Sequence, residues 1–465
     1  HDSIGGCSIN RVHIQMQPRF FAAQSLANET AKRLMELLAG QEQTRQTPAT
    51  RPFAVAVFNP SPYPRSGVVR MALDGGPAMQ PSPEGLIYHP VLAANMPEGG
   101  YTADGEIVRF VPGDSDGRFF YQVHQHSVDL EIPVRDVPAF GYKRVLLEPA
   151  DFAEHQVDDG TRIGNEHVSV SLREEGTADV RLGLNEFSGL FGVEDLLDRG
   201  DSYDADIIHD GERCEFLRFK HCRRIHPNGT QVLEVERLYR TPRELTEQRD
   251  RRGEEQTALR LYTDFILYPG SNELKVRVRL KNTAKDHRFR LLFPTGAGAD
   301  DYQYATTLDV ANEQPGRPDD ALWLHPAPAT FVHQGWVSLN GLTVVAPGLP
   351  EAEVTAEGAL AVTLVRSIGW LSRPDLSSRP GPAGPVIPVS DAQCLETIEA
   401  ELTLFAGCDP VKAQQAEIPL AAVIAGQFGF LRNRKPGQLL VRAFNPSLEN
   451  DGWESGHSVV ELVND

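Results

Sequence analysis

From residue 53 to its end, the chain carries its apolar residues in short, mostly alternating runs, and this limits what it can fold into. In Leu274-Lys-Val-Arg-Val-Arg-Leu280 apolar and basic residues alternate strictly, so a strand there buries one face and wets the other. Comparable runs recur at Phe53–Phe58, 68–73, 119–124, 128–132, 144–147, 167–172, 231–239, 258–267, 359–366 and 395–405, bounded by Gly, Pro, Asn and Asp. With 40 Gly and 34 Pro as punctuation, everything after residue 52 reads as β, and the fold class is mainly β sandwich.

Residues 8–39 hold the long helical pattern. Ile9, Val12, Met16, Phe20, Ala23, Ala27, Leu34 and Leu37 fall on one face. Ser8 reads as the N-cap and Gly40 as the left-handed C′ residue. Pro18 is expected to kink or divide the helix. One apolar stripe cannot bury itself, and an exposed stripe of this length predicts self-association, a homo-oligomer. Residues 41–52, polar with two prolines, read as a linker. The expected domains are 1–52 (helix and linker), 53–155 (a small β-sandwich), 156–410 (a large two-sheet body) and 411–465 (a C-terminal β segment). Two Pro/Gly-rich loops, 312–320 and 373–388, interrupt the large body; such long loops usually carry function or move.

Lys and Arg number 45 against 64 Asp and Glu, a formal net charge of −19. That field repels a phosphate backbone or an anionic membrane, so neither nucleic acid nor membrane is an expected partner. No apolar run approaches the ~20 residues of a membrane span, and no signal-peptide pattern opens the chain. The five cysteines, Cys7, Cys214, Cys222, Cys394 and Cys408, are few and odd in number. Cys214 and Cys222 could pair, but reduced thiols and a cytoplasmic location fit better. The chain begins with His rather than Met, as expected of a processed product or a fragment.

Few residues advertise chemistry. No nucleophile elbow, P-loop or zinc-protease helix occurs. His124-Gln-His126 puts two imidazoles on one side of a strand, a spacing usable for zinc but more simply that of two surface histidines, since no Cys or carboxylate sits at a suggestive offset. His1-Asp2, followed by Gly5-Gly6 just ahead of the helix, could bind a metal or a sugar hydroxyl, or be a frayed terminus. Residues 198–203 (Asp-Arg-Gly-Asp-Ser-Tyr) form a polar turn with an exposed aromatic at Tyr203; it is either an acidic loop or a sugar contact. Arg379 offers a guanidinium able to bind hydroxyls or carboxylates, or simply a solvated one.

Taken in order, these segments resemble glycoside hydrolase family 38, the retaining zinc-dependent α-mannosidases that include a mannosylglycerate hydrolase branch. His1-Asp-Ser-Ile-Gly-Gly-Cys-Ser8 resembles the family's His-Asp-Ser-Ile-x-Gly-Cys-Ser segment. Val57-Phe-Asn-Pro-Ser-Pro-Tyr-Pro-Arg65, Asp136-Val-Pro-Ala-Phe-Gly-Tyr142, Gly200-Asp-Ser-Tyr203, Asn282-Thr-Ala-Lys-Asp-His-Arg288 and Leu364-Val-Arg-Ser-Ile-Gly369 follow as in relatives. Asn10 departs from the Asp common there. The resemblance implies a large mutarotase-like β-supersandwich plus smaller sandwiches, preceded by a remnant of a helical bundle, with the family's N-terminal catalytic barrel absent from this sequence. It implies zinc as cofactor, with His1 as a ligand that would stay without metal unless a barrel joins it. It implies Asp2, Tyr203 and Arg379 as contacts to a mannoside substrate, and a separately encoded or cleaved barrel as partner. The nucleophile, the acid/base and the remaining zinc ligands have no counterpart here, so the isolated chain is expected to be inactive. A non-catalytic carbohydrate-binding or scaffolding sandwich is the alternative. A third reading, an epimerase-like enzyme, needs a histidine and a carboxylate facing each other in a groove of the large sandwich.

Overall fold

The computed structural model of the protein describes residues 6–39, 53–74, 77–82, 85–90, 101–103, 106–112, 127–149, 156–208, 214–296, 298, 301–323, 325–425, 439–444 and 457–462. His1, Asp2, Gly40, the linker 41–52, the run 119–124 and the pair His124 and His126 lie outside the described residues. The chain divides into two compact units. One comprises His1–Ala22, His155–Ile225 and Gly229–Glu417; the other comprises Ala23–Glu154, His226–Asn228 and Ile418–Asp465.

Helix α1 spans Asn10–Leu38 without a break, so Pro18 does not divide it. A proline removes one backbone donor and crowds the preceding turn, but here twenty further residues continue the helix. No residue of α1 is buried, and Phe20, Phe21 and Leu26 are 60%, 71% and 67% exposed. Of the stripe read from the sequence, Phe20, Leu34 and Leu37 are exposed, while Ile9, Val12 and Met16 are half-buried.

The smaller unit is a sandwich. Ala421–Ala425, Phe53–Phe58, Tyr142–Pro149, Tyr101–Ala103 and Glu106–Ile107 form one sheet in that order, and Arg65–Asp74, Ser127–Val137 and Arg109–Pro112 form the other. Val55, Val57 and Val145 from the first sheet meet Val69, Leu130 and Ile132 from the second. Phe53–Phe58 also buries its other face. Ala56 and Phe58 pack with Tyr142, Val423 and the end of α1 at Met35, Leu38 and Ala39.

The larger unit is built around a ten-stranded antiparallel sheet. Its centre is the meander Glu215–Ile225, Gln231–Pro242, Gln256–Leu267 and Leu274–Lys281, followed by Thr397–Ala406. Leu274–Lys281 alternates buried and half-buried as its sequence dictates. Leu274, Val276, Val278 and Leu280 enter one continuous core with residues of a six-stranded and a four-stranded sheet, among them Phe289, Leu291, Val170 and Val180. A short helix, α2 (Pro410–Glu417), interrupts a region that reads as β. Its start is nevertheless legible: the Asp409 carboxylate accepts the Lys412 N–H at 3.0 Å, and Pro410 occupies the first helical position, where a missing donor costs nothing.

The six-stranded sheet positions the site. Its neighbours run Ile207–Ile208, Gly192–Asp198, His287–Pro294, Ala359–Ser367, Glu351–Val354 and Phe331–Val332. Gly192–Asp198 and Ala359–Ser367 both pair antiparallel with the central strand His287–Pro294, so they run parallel to each other. Their C-terminal ends emerge together beside His287, and the loops that follow, 199–206 and 368–393, leave from the same edge.

Candidate functional site at the end of the six-stranded sheet

Asp198 is the last residue of its strand, and Arg366 is one residue from the end of the other. The Arg366 Nε donates to Asp198 Oδ2 at 2.6 Å, and its Nη2 donates to the Asp204 carbonyl at 2.7 Å. Asp198 Oδ1 accepts the Gly200 and Asp206 N–H groups at 2.8 and 3.0 Å. Burial alone would push the Asp198 carboxyl up, but the Arg366 guanidinium and these N–H groups outweigh it and hold it below the usual carboxylate range. Gly200 is required here for space. A Cβ on it would lie 2.2 Å from the Asp204 carbonyl oxygen and 2.6 Å from Arg366 Nη2.

Asp201, fully buried, shapes the turn. Its Oδ1 accepts the Tyr203 and Asp204 N–H groups at 2.9 and 3.0 Å, and its Oδ2 accepts the Arg373 N–H at 2.7 Å. Tyr203 projects from this turn, 40% exposed, as the sequence suggests. The side chain of Arg379 is engaged rather than free. It pairs with Asp201 through Nη2 and with Asp204 through Nη1, and its Nε donates to the Gly381 carbonyl at 2.9 Å. Its guanidinium carbon sits 6.0 Å from the Tyr203 ring centroid, and Gly384 leaves room for the Tyr203 hydroxyl, which a Cβ would approach to 3.0 Å. Tyr203 and Arg379, two of the four residues singled out in the sequence, are thus brought together. His1 and Asp2 lie outside the described residues.

The rest of the 368–393 loop is held as firmly, which the sequence leaves undecided. Asp206 accepts from the Ser377 N–H at 2.9 Å, from the Ser377 hydroxyl and from Arg199 Nε at 2.7 Å. Arg373 binds Asp375 through two bonds of 2.8 and 2.7 Å and stacks its guanidinium 4.5 Å from the Trp370 ring. A further loop reaches the same turn: His325 Nε2 lies 2.9 Å from Asp204 Oδ1. Asp204 therefore ties down both neighbouring loops, a role sequence reasoning missed; the acidic run Asp201, Asp204, Asp206 was the available signal.

The segment before α1 joins this cluster. Cys7 and Ile9 pack against Ile368, Leu371 and Val389, and the Cys7 thiol donates to the Ser202 carbonyl at 3.2 Å. Asn10 donates through Nδ2 to Ser390 Oγ at 2.8 Å and accepts the Asp391 N–H at 3.3 Å. An amide does both at once, which a carboxylate cannot. Asn282 and His287, from another matched segment, stand behind the cluster, where Asn282 Nδ2 donates to Ser367 Oγ at 3.0 Å.

This arrangement positions groups; it does not present a reactive carboxyl pair. Asp198 and Asp201 are closed off and saturated by donors, and Asp206 is 5% exposed. Among the described residues no group of three or more His, Cys, Asp or Glu is placed to hold a metal ion. The described residues therefore do not by themselves fit a zinc site. A histidine–carboxylate pair does exist in the large sandwich, His287 Nδ1 2.5 Å from Asp195 Oδ1. Its side chains are 1% and 0% exposed, and Asn282 Oδ1 occupies the other ring nitrogen at 3.0 Å, so it faces no groove that could admit a sugar. None of the five cysteines is joined in a disulfide, and burial pushes the thiols of Cys214 and Cys394 up. Among the described residues no helix is long and apolar enough to cross a membrane.

Comparison with known proteins agrees with the resemblance read from the motifs. A protein of Halalkalibacterium halodurans, provisionally described as a mannosylglycerate hydrolase, is 28% identical over 450 residues, covering 87% of this chain and 48% of its own. An α-mannosidase from Enterococcus faecalis V583 has the same fold, with a TM-score of 0.69 and 21% identity over 96% of this chain and 54% of its own. A glycosyl hydrolase family 38 protein from Enterococcus faecalis matches with a TM-score of 0.67 and 22% identity, over 96% of this chain and 56% of its own. The chain spans about half the length of the relatives it matches. The described architecture, mainly β with several sheets, is that of family 38 α-mannosidase structures. A family profile described as the glutamate dehydrogenase ACT1 domain matches residues 407–465 alone. The first elements of that span serve the sheets already described: Ala413 of α2 packs with Trp336 and Phe405, and Ala421–Ala425 pairs with Phe53–Phe58.

Proposed function

We propose that this chain is the β-sandwich part of a retaining, zinc-dependent α-mannosidase of glycoside hydrolase family 38, and that it completes an active site whose catalytic barrel lies outside this sequence. The observation that carries the reading is the meeting of the segment before α1 with the Tyr203 turn and the Arg379 loop, through the Cys7–Ser202 bond and the Arg379 pairs with Asp201 and Asp204. Residues far apart in sequence are held at one sheet edge, where the family resemblance puts its sugar contacts.

In this reading Tyr203 presents its hydroxyl to a mannoside. Arg379 orients that ring and fixes the turn beneath it. His1 would be a zinc ligand and Asp2 a sugar contact, both delivered by the segment anchored at Cys7. Cleavage with retention needs two carboxyl groups about 5 Å apart across the scissile bond, and the barrel supplies them. Polarising the bound sugar is the chemistry zinc would add. A cytoplasmic location accords with five cysteines outside any disulfide.

The test is complementation. A barrel fragment of a family 38 α-mannosidase, assayed with an aryl α-mannoside and zinc, should turn over well only when this chain is added. Tyr203→Phe should weaken the restored activity. Full turnover by the barrel alone would refute the site-completing role.

A further inference from the structure

Residues 282–287 carry the chain from the strand Leu274–Lys281 of the ten-stranded sheet to His287–Pro294 of the six-stranded one. Both ends of the 368–393 loop are fastened to this crossing. Asn282 Nδ2 donates to Ser367 Oγ at 3.0 Å, just before the loop, and to the Gln393 and Cys394 carbonyls at 3.3 and 3.0 Å, where it ends. Gln393 binds back, accepting the Asp286 N–H at 2.9 Å and donating to Asp286 Oδ1 at 2.8 Å. The Asn282 amide therefore has one possible orientation. Its nitrogen faces two carbonyls, which only accept, and its oxygen accepts the Ala284 N–H at 3.1 Å.

That orientation fixes the number of protons on His287. Asn282 Oδ1 lies 3.0 Å from His287 Nε2, and an amide oxygen only accepts, so Nε2 carries a hydrogen. Nδ1 lies 2.5 Å from Asp195 Oδ1. The other oxygen of that carboxylate accepts from Thr241 Oγ1 at 2.7 Å and from Arg252 Nη1 at 3.0 Å. Burial alone would push the Asp195 carboxyl up, but His287, Arg252 and Thr241 outweigh it and hold it below the usual carboxylate range. An ionised carboxylate is an acceptor only, so Nδ1 carries a hydrogen as well. A neutral imidazole would satisfy one of these two acceptors and turn a bare lone pair on the other. With the His287 side chain 1% exposed, bulk water does not relieve that clash. Two further titratable groups stand near: Cys214, whose thiol is pushed up by burial and by Asp195, and Asp286, next in the chain and 4.0 Å from Arg249.

We propose that His287 is a positioning residue that works as a buried imidazolium. With a proton on each ring nitrogen it joins Asp195 to the Asn282 amide, and so keeps the two ends of the 368–393 loop together. Taking one proton away sets a bare nitrogen against Asp195 or Asn282 and loosens the anchor. The closed loop thus holds a proton that the opened loop releases in alkali, and rising pH favours opening. The inference concerns how this loop is held and does not rest on the sugar-binding reading of Arg379.

The experiment has two readouts on the full chain. Long-range ¹H–¹⁵N NMR of histidine-labelled protein reads both ring nitrogens at about pH 8, where an ordinary histidine, titrating near 6.5, is neutral. Both nitrogens of His287, assigned by their loss in His287→Gln, should appear protonated. A bare nitrogen there overturns the proposal. Limited trypsin digestion reads the loop through cleavage after Arg373 and Arg379, which follows the population of the opened form. Near pH 7, His287→Gln should be cut about tenfold faster than the parent or more. That ratio, which cancels the pH dependence of trypsin itself, should shrink as the pH rises toward about 10. Equal rates, or a ratio that does not change with pH, overturn the positioning role. If His287→Gln does not fold, the parent's ring signals, assigned through its backbone resonances, still decide the proton count. Failed barrel complementation with both readouts as expected counts against the proposed function and leaves this inference standing.

Discussion

Replacing Gly200 by alanine isolates what the Gly-Asp-Ser-Tyr turn demands. The added Cβ would sit 2.2 Å from the Asp204 carbonyl oxygen and 2.6 Å from both Arg366 Nη2 and Asp198 Oδ1. None of these is the free end of a mobile side chain. One is backbone, and the other two form the buried Asp198–Arg366 pair. The turn must open by about 1 Å to reach an ordinary contact, which loosens the 2.7 Å bond from Arg366 to Asp204 and the 2.8 Å bond from Gly200 to Asp198. Overpacking costs ~1–3 kcal/mol, and a hydrogen bond to a charged group contributes ~1.5–3 kcal/mol, so a loss of about 4 kcal/mol is expected. Urea unfolding followed by circular dichroism measures it. Gly381→Ala is the control, since nothing lies within 4 Å of a Cβ there; it should stay within about 0.5 kcal/mol of the parent. If Gly200→Ala unfolds within about 1 kcal/mol of the parent, the turn is not packed as argued and the geometric reason for this glycine fails.

Three further outcomes follow from the same geometry. Arg379→Ala leaves the fully buried Asp201 carboxylate without its cation and should cost ~3–5 kcal/mol in urea unfolding; Arg379→Lys, lacking the planar fork, should recover only part of it. Asp198 has a folded pKa below its unfolded value near 3.9, so its stabilisation is complete above that value and is lost as pH falls through it and the lower folded value. The stability gap between the parent and Asp198→Asn should therefore be largest near neutral pH and shrink below about pH 5; an unchanged gap at pH 3 would contradict this. Denatured without reductant, the chain should react with a thiol reagent at all five cysteines; a count of three would reveal a disulfide.

How much of this was legible in the sequence depended on whether the deciding interactions were local. Period-two alternation in 274–281 is a property of neighbouring residues, and the strand followed it. The apolar stripe of α1 was legible for the same reason. Pro18 misled because a proline's local cost does not decide whether surrounding turns continue. Tyr203 and Arg379 could be singled out, yet their geometry could not. Arg379 reads as a solvated loop residue until Asp201 and Asp204, some 175 positions away in the chain, are seen to take its donors. The clamp of Asp201 and Asp204 on Arg379 was invisible for that reason. It depends on two loops leaving one end of the sheet, which is set by the register of Gly192–Asp198 and Ala359–Ser367 on a shared strand.

The central claim is that this chain shapes a sugar site without carrying the carboxyl pair that cleaves. Hydrolysis of an aryl α-mannoside by the purified chain, with and without added zinc, tests it most directly. The account predicts no turnover above the uncatalysed rate under either condition. Zinc-dependent turnover by the chain alone would mean that it holds its own nucleophile, acid and metal ligands, and would contradict the account.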